Sequence, residues 1–399
     1  WLGGQRWHPL GLNYWPRYIA GQERGDYWAH WLQPAQYDPG VVERDLALLQ
    51  SLGATMVSVQ AGPPECLRSL NDFLARAYRR GIRANLFLAG AHPLYFDPPL
   101  VRQIIEEGRL AANPALFAYD IAWEPRWGQH RERKAWDREW QEWIEERYGS
   151  LEAAEADWGV PCPREDDALT NPSDEQILND GPWRPMVAAY RRFLDDFLSE
   201  RLNEVCSFIR SLDANHLISF RAGYGGTGQE GVDVFMPFDL VSGAKHLDFI
   251  SPEGWGLWGP WENFAPAGVT TLYGRWAGNG KPVFWAEFGF NIYPAYRPED
   301  ISLQQETYFN MYRMIAESGA AGGAGWWFPG GLRLDENSDF GVVNPDGSPR
   351  PAALALKEWA APLAELAPAG AQVEIEFDRD LHPRGYSQVW RRAREAYLA

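Results

Sequence analysis

The chain has 399 residues, 45% of them hydrophobic, and a formal net charge of −17. That size supports a large core in a barrel-sized domain, and the negative charge argues against nucleic acid and anionic membrane as partners. No apolar run reaches the roughly 18 residues of a membrane-spanning helix, and Cys66, Cys162 and Cys206 show neither a disulfide framework nor a metal spacing.

Along the chain, short apolar runs alternate with amphipathic stretches. Strands are predicted over 10–14, 55–60, 82–88, 117–123, 217–221, 247–250, 283–287 and 321–327. Helices are predicted over 41–52, 66–80, 101–111, 187–212, 303–317 and 352–366, with Asp38-Pro39 as a start signal and Gly53 and Gly81 just past helix ends. Eight strands with intervening helices predict an α/β fold, a (β/α)₈ TIM barrel. The alternative, a doubly wound sheet, lacks a Gly-x-Gly-x-x-Gly after any strand. The barrel is expected to span 1–371. Within it, 127–182 forms a helical insertion over the barrel mouth, with 143–159 read as two helices broken at Gly149. Residues 372–399, a strand-like 372–378 and a helix over 387–398, form a C-terminal appendage.

Two carboxylates stand out. Glu124 ends the apolar run Ala118-Tyr119-Asp120-Ile121-Ala122-Trp123, and Glu287 ends Pro282-Val283-Phe284-Trp285-Ala286. Pro125 follows the first, and Phe288-Gly289 the second. A carboxylate at the tip of a buried strand is costly unless it is paired or used. Barrel enzymes place their catalytic groups at such tips, and a pair of carboxyl groups is what hydrolysis of a glycosidic bond requires. Glu124 reads as the acid/base, its proton affinity raised by apolar neighbours, and Glu287 as the nucleophile, held ionised by donors. The other strand ends offer Asn13, Tyr14 and Trp15 (first), His92 (third), Trp123 (fourth), Arg221 and Tyr224 (fifth), Glu253, Trp255 and Trp258 (sixth), Asn291 (seventh), and Trp326 and Trp327 (eighth). His92 equally suits a loop cap, and Arg221 a carboxylate-orienting role. The 21 Trp and 17 Tyr suit either a large core or sugar stacking. This chemistry calls for no metal and no cofactor.

The motifs and their order resemble clan A glycoside hydrolases, barrels with the acid/base on strand four and the nucleophile on strand seven. Gly11-Leu12-Asn13-Tyr14-Trp15-Pro16-Arg17 and Trp123-Glu124-Pro125-Arg126 look most like family 5. Residues 143–159 are similar to a segment of family 42 β-galactosidases, Gly325-Trp326-Trp327 resembles the tryptophan that floors the sugar subsite, and 339–351 is similar to the segment following strand eight. Two positions depart from the pattern. Trp123 stands where the clan has an Asn that contacts the sugar 2-hydroxyl, and Ser58 lies in the strand-two run where family 5 has an Arg.

The expectation is a retaining β-glycosidase acting on β-linked gluco-, galacto- or manno-configured glycosides through a covalent glycosyl-enzyme. A transglycosylase using the same residues is one alternative, and a carbohydrate-binding barrel that has lost catalysis is another. An aldolase-like reading fails because Lys134, Lys245, Lys281 and Lys357 end no strand. Carbohydrate is the expected partner, and oligomeric state is not readable. No signal peptide is visible from Trp1 onward. A cytoplasmic location is expected, with export behind a trimmed signal as the alternative.

Overall fold

Buried runs without polar alternation favour a parallel sheet covered on both faces, and the second strand, Met56–Gln60, is buried at every position. The computed structural model describes residues 7–19, 29–60, 63–223, 236–365, 374–381 and 386–398. Its main sheet has seven strands, Leu10–Asn13, Met56–Gln60, Arg83–Phe87, Leu116–Trp123, Leu217–Arg221, Phe284–Trp285 and Gly322–Gly325. All neighbouring pairs are parallel. The first strand lies centrally between the second and Gly322–Gly325, while Leu217–Arg221 and Phe284–Trp285 form the two edges. The eighth-position strand consists of glycine and alanine because helix Pro298–Ser318 packs closely on it. A Cβ at Gly325 would lie 2.4 Å from a Tyr308 ring carbon.

The strand expected over 247–250 is not one. The segment instead carries isolated parallel bridges to both edges, Arg221 with Ser251 on one side and Ile250 with Val283 and Glu253 with Glu287 on the other. Pro252, which has no N–H to donate, interrupts a regular ladder here. Backbone bonds still run across it, from Ala222 N to Ser251 O at 2.8 Å and from Phe284 N to Ile250 O at 2.8 Å.

The expected helices are present with shifted ends. Pro39–Ser51 is capped by Asp38, whose carboxylate accepts from Gly40 and Val41, as Ncap residues do. Pro298–Ser318 extends further at both ends than the expected 303–317. A helix at Gly268–Ala277 was not expected, since its two glycines and two threonines have poor helix propensity. Gly274 packs within van der Waals reach of Val283 and Ile250, so tertiary burial holds the helix.

Between 127 and 182 the two anticipated helices are Asp137–Tyr148 and Leu151–Trp158. Gly149, at φ 84°, ends the first, and the Ser150 hydroxyl accepts from Ala153 N to start the second. Trp140 is fully buried there. It stacks on Trp158 at 5.9 Å and meets Tyr190 of helix Arg184–Leu212 edge-on at 5.2 Å. Arg133, also fully buried, hydrogen-bonds Asn171, Gly128 O, Pro172 O and Asp174. At the other end of the chain, 374–378 is not a strand. The following turn is anchored by Arg379, which pairs with Asp195 at 2.8 Å and Asp239 at 3.2 Å. Helix Tyr386–Leu398 packs on Gly268–Ala277 beside a mainly apolar cavity of about 380 Å³. No described helix is long and apolar enough to cross a membrane.

Candidate active site

Glu124 follows directly on the strand Leu116–Trp123 with φ 44°. The left-handed conformation costs a non-glycine residue roughly 1–2 kcal/mol. It turns the chain at Pro125, and the space it needs comes from the fifth strand's end. A Cβ at Gly223 would lie 3.0 Å from the Glu124 Cα, so only glycine fits there without a shift.

Glu287 is buried two residues past the strand Phe284–Trp285. Its partner is Arg221, itself fully buried. The Arg221 guanidinium donates to a Glu287 carboxylate oxygen, to Asp120 Oδ2 at 2.6 Å, to Asn13 Oδ1 at 3.1 Å and to Ser58 Oγ at 2.8 Å. Four strands therefore meet on one planar cation, whose fork of donors suits several acceptors at once. Burial disfavours its charge, but Asp120, Glu287 and Glu253 more than offset that and hold the Arg221 pKa above its ordinary value. Burial, with the Glu124 charge, raises the Glu287 pKa, and the Arg221 guanidinium in direct contact pulls it back toward the anion.

Glu253 is the third carboxyl group. One oxygen each from Glu124, Glu253 and Glu287 lie within 4.8 Å of one another. Burial first, then the Glu287 and Glu124 charges, raise Glu253 well above the usual carboxylate range. Among the described residues neither of its oxygens has a hydrogen-bond donor, so the neutral acid is favoured, for which the neighbouring Glu124 carboxylate would be the acceptor. Burial also raises Glu124, while the Glu253 hydrogen bond and Arg221 oppose the rise. The three oxygens are of the type a hard cation takes, but the cation that reaches Glu287 is the Arg221 guanidinium.

The structure gathers only part of the expected set. Glu124, Glu287, Glu253 and Arg221 meet, and Asn13 joins them by accepting from Arg221 and donating to Ala286 O at 2.9 Å. The Trp123 ring centroid lies 3.9 Å from the Arg221 guanidinium carbon. Trp326 lies 5.6 Å from Trp123 and 5.4 Å from Trp15, and Trp15 lies 5.1 Å from Trp327. All of Trp15, Trp326 and Trp327 are buried. Tyr14 turns the other way. Its hydroxyl donates to Asp45 on helix Pro39–Ser51 at 3.2 Å. His92 accepts from Leu94 N at 3.2 Å and packs near Tyr95 and Phe238, and burial lowers its pKa to about 4. Trp255 packs on Phe340 at 5.3 Å, and Asn291 accepts from Tyr293 and Asp339 backbone amides. Trp258 is exposed. Tyr224 lies outside the described residues.

Sequence reasoning missed Asp120, Gly223, Arg333 and Glu336. Asp120 carried a signal, being a charge inside an apolar strand four residues before Glu124. Arg333 lies 5.3 Å from the Trp327 ring and pairs with Glu336 at 3.0 Å, and the Glu336 charge reaches Glu124. Nothing in that loop's sequence marked it.

No protein-family model matches the chain, and no curated protein matches it in sequence. Solved structures do match its shape. A family 5, subfamily 18 glycoside hydrolase from Streptomyces cattleya, in complex with Manβ1-4GlcNAc, superposes with TM-score 0.62 at 14% identity, over 95% of this chain and 87% of that one. A family 5, subfamily 18 protein from Bifidobacterium longum, with the same ligand, gives TM-score 0.57 at 15% identity, over 98% and 89%. A β-galactosidase from Halorubrum lacusprofundi gives TM-score 0.65 at 16% identity, over 98% of this chain but 64% of its own. The chain therefore has the fold of the barrel glycoside hydrolases, with likeness to family 5 and to β-galactosidases together, as the sequence motifs suggested.

Proposed function

We propose that the protein is a retaining β-glycosidase acting on β-linked gluco-, galacto- or manno-configured glycosides, with Glu124 as acid/base and Glu287 as nucleophile. The observation that carries this reading is the approach of Glu124 and Glu287 oxygens to within 4.8 Å. Retaining enzymes hold their carboxyl groups about 5–5.5 Å apart, whereas inverting ones leave about 6.5–9.5 Å for a water. The asymmetry of their surroundings supports the roles. Glu287 accepts a hydrogen bond from a guanidinium that favours its anion, while Glu124 feels Arg221 only by charge, faces the Glu253 carboxyl and sits against Gly223. The ligands and activities named for the matching structures, Manβ1-4GlcNAc and β-galactosidase, support the sugar class.

In this reading residues 1–371 close as a (β/α)₈ barrel through the bridged segment at 247–254. Residues 127–182 form an insertion beside the acid/base strand, and 372–399 a packing appendage. Glu124 protonates the leaving oxygen while Glu287 attacks the anomeric carbon. Glu124 then takes a proton from the water that hydrolyses the glycosyl-enzyme. Asn13 and Ser58 hold Arg221, and Trp15, Trp123, Trp326 and Trp327 wall the sugar site.

The test is a panel of aryl β-glycosides of glucose, galactose, mannose, xylose and fucose, with the first-formed anomer read by proton NMR. Release of the β-anomer first is expected. Release of the α-anomer, or no turnover of any member by a folded protein that binds sugar, overturns the reading.

A further inference from the structure

Two carboxyl groups suffice for the proposed reaction, so Glu253 needs its own explanation. It is 1% exposed, with an oxygen within 4.8 Å of oxygens of both Glu124 and Glu287. The Arg221 cation acts on it by charge alone, for four of its five N–H groups are directed at Asp120, Glu287, Asn13 and Ser58 and no hydrogen bond to Glu253 is among them. Ionised, Glu253 would be a buried anion with neither oxygen hydrogen-bonded among the described residues, which burial penalises heavily. Protonated, it would have the neighbouring Glu124 carboxylate as its acceptor. Its main chain is fixed as well, since Gly254 N donates to Glu287 O at 2.7 Å. Two carboxyl groups held this close cannot both ionise freely and titrate as a pair.

We propose that Glu253 and Glu124 share one proton as a carboxyl–carboxylate pair, and that Glu253 is the positioning residue that keeps Glu124 loaded as an acid and then makes it a strong base. This rests on the retaining reading above. In the first half-reaction the proton leaves Glu124 for the glycosidic oxygen. The bond from that oxygen to the anomeric carbon breaks, and the bond from Glu287 to that carbon forms. The aglycone departs as an alcohol, and the pair is left with two negative charges. Their repulsion strengthens Glu124 as a base. In the second half a water gives its proton to Glu124 as its oxygen attacks the anomeric carbon and the bond to Glu287 breaks, so the pair regains one proton. The other charges facing the pair are Glu287 and Arg221 from neighbouring strand ends, Asp120 across Arg221, and Arg126 and Glu336 on the solvent side.

The experiment is a carbon-13 NMR titration of the glutamate side-chain carboxyls in the full chain, comparing wild type, Glu253→Gln and Glu124→Gln. In wild type the pair should titrate in two steps more than about one pH unit apart. In Glu253→Gln, Glu124 should titrate in a single step below the upper wild-type one, and in Glu124→Gln, Glu253 should do the same. Unchanged Glu124 and Glu253 midpoints in the reciprocal variants would overturn the proposal. This measurement needs no turnover, so an inactive protein defeats the glycosidase reading without obscuring the pair, and either variant alone decides if the other fails to fold. With activity, the alkaline limb of kcat/KM for a poor leaving group should move down by about one pH unit or more in Glu253→Gln, while a good leaving group shows no such move. An equal loss for both leaving groups at every pH would mean that Glu253 only packs, and the positioning role falls.

Discussion

Trp123 covers Arg221, with 3.9 Å between the ring centroid and the guanidinium carbon. The indole thus does something an asparagine there could not, screening from solvent the cation that joins Asp120 and Glu287. A desolvated cation–π contact of this kind is worth about 2 kcal/mol. In the proposed glycosidase it would also leave a sugar 2-hydroxyl without the amide that an asparagine there would offer, since an indole has one donor and no acceptor.

A substrate and its 2-deoxy analogue, compared at equal leaving group, measure that loss. We expect kcat/KM to differ by less than about 10²-fold, roughly 2.7 kcal/mol. We further expect Trp123→Asn to change sugar preference as well as rate. A larger 2-deoxy penalty in wild type would show that another residue reads the hydroxyl.

Arg221→Met should destabilise the fold by about 3–5 kcal/mol, because it leaves Asp120 and Glu287 buried without their cation. Urea denaturation reads this directly. Arg221→Lys should recover little, since a single ammonium cannot span acceptors on Asp120, Glu287, Asn13 and Ser58.

Glu287→Ala should abolish turnover, and azide should restore it by forming a glycosyl azide of inverted configuration. Glu124→Ala should lose about 10²–10⁴-fold on substrates with poor leaving groups and far less on activated ones. Initial rates on paired substrates check both. Full activity of Glu124→Ala on a poor leaving group would remove it from the acid/base role.

Stability should fall as pH rises above the ordinary glutamate value of 4.5. There the folded chain keeps a proton on the Glu253–Glu124 pair that the unfolded chain has released. Folding therefore binds a proton, and raising the pH opposes it. Glu253→Gln should flatten the fall and be more stable than wild type at pH 8, as read from urea midpoints across pH. A slope unchanged by the substitution would show that Glu253 is not the group responsible.

Glu124 and Glu287 were legible as candidates because each ends an apolar run where a charge has no packing reason to be, and the structure brings their oxygens to within 4.8 Å. Tyr14 was misplaced because strand side chains alternate between faces. Asn13 faces the cluster, so its neighbour Tyr14 must face the helix layer and Asp45. The sixth strand was sought in 247–250, but the bridged residues run on past Pro252 to Glu253, a continuation that proline conceals in a sequence. Ser58 looked like the loss of a family arginine. In three dimensions a guanidinium comes to it from the fifth strand, at 2.8 Å, a replacement that only the sheet order reveals.

The bridge between Glu253 and Glu287 also limits what protein engineering can change. Their main chains are tied, so twisting the sheet moves these two carboxyl groups together and keeps their spacing. Glu124 is adjustable, because its place depends on a left-handed residue resting against the bare Cα of Gly223. Gly223 is therefore the position from which to widen the gap between Glu124 and Glu287. A side chain there displaces Glu124 alone, which, if the proposed retaining roles hold, is the first step in turning the spacing of a covalent intermediate into one with room for a water.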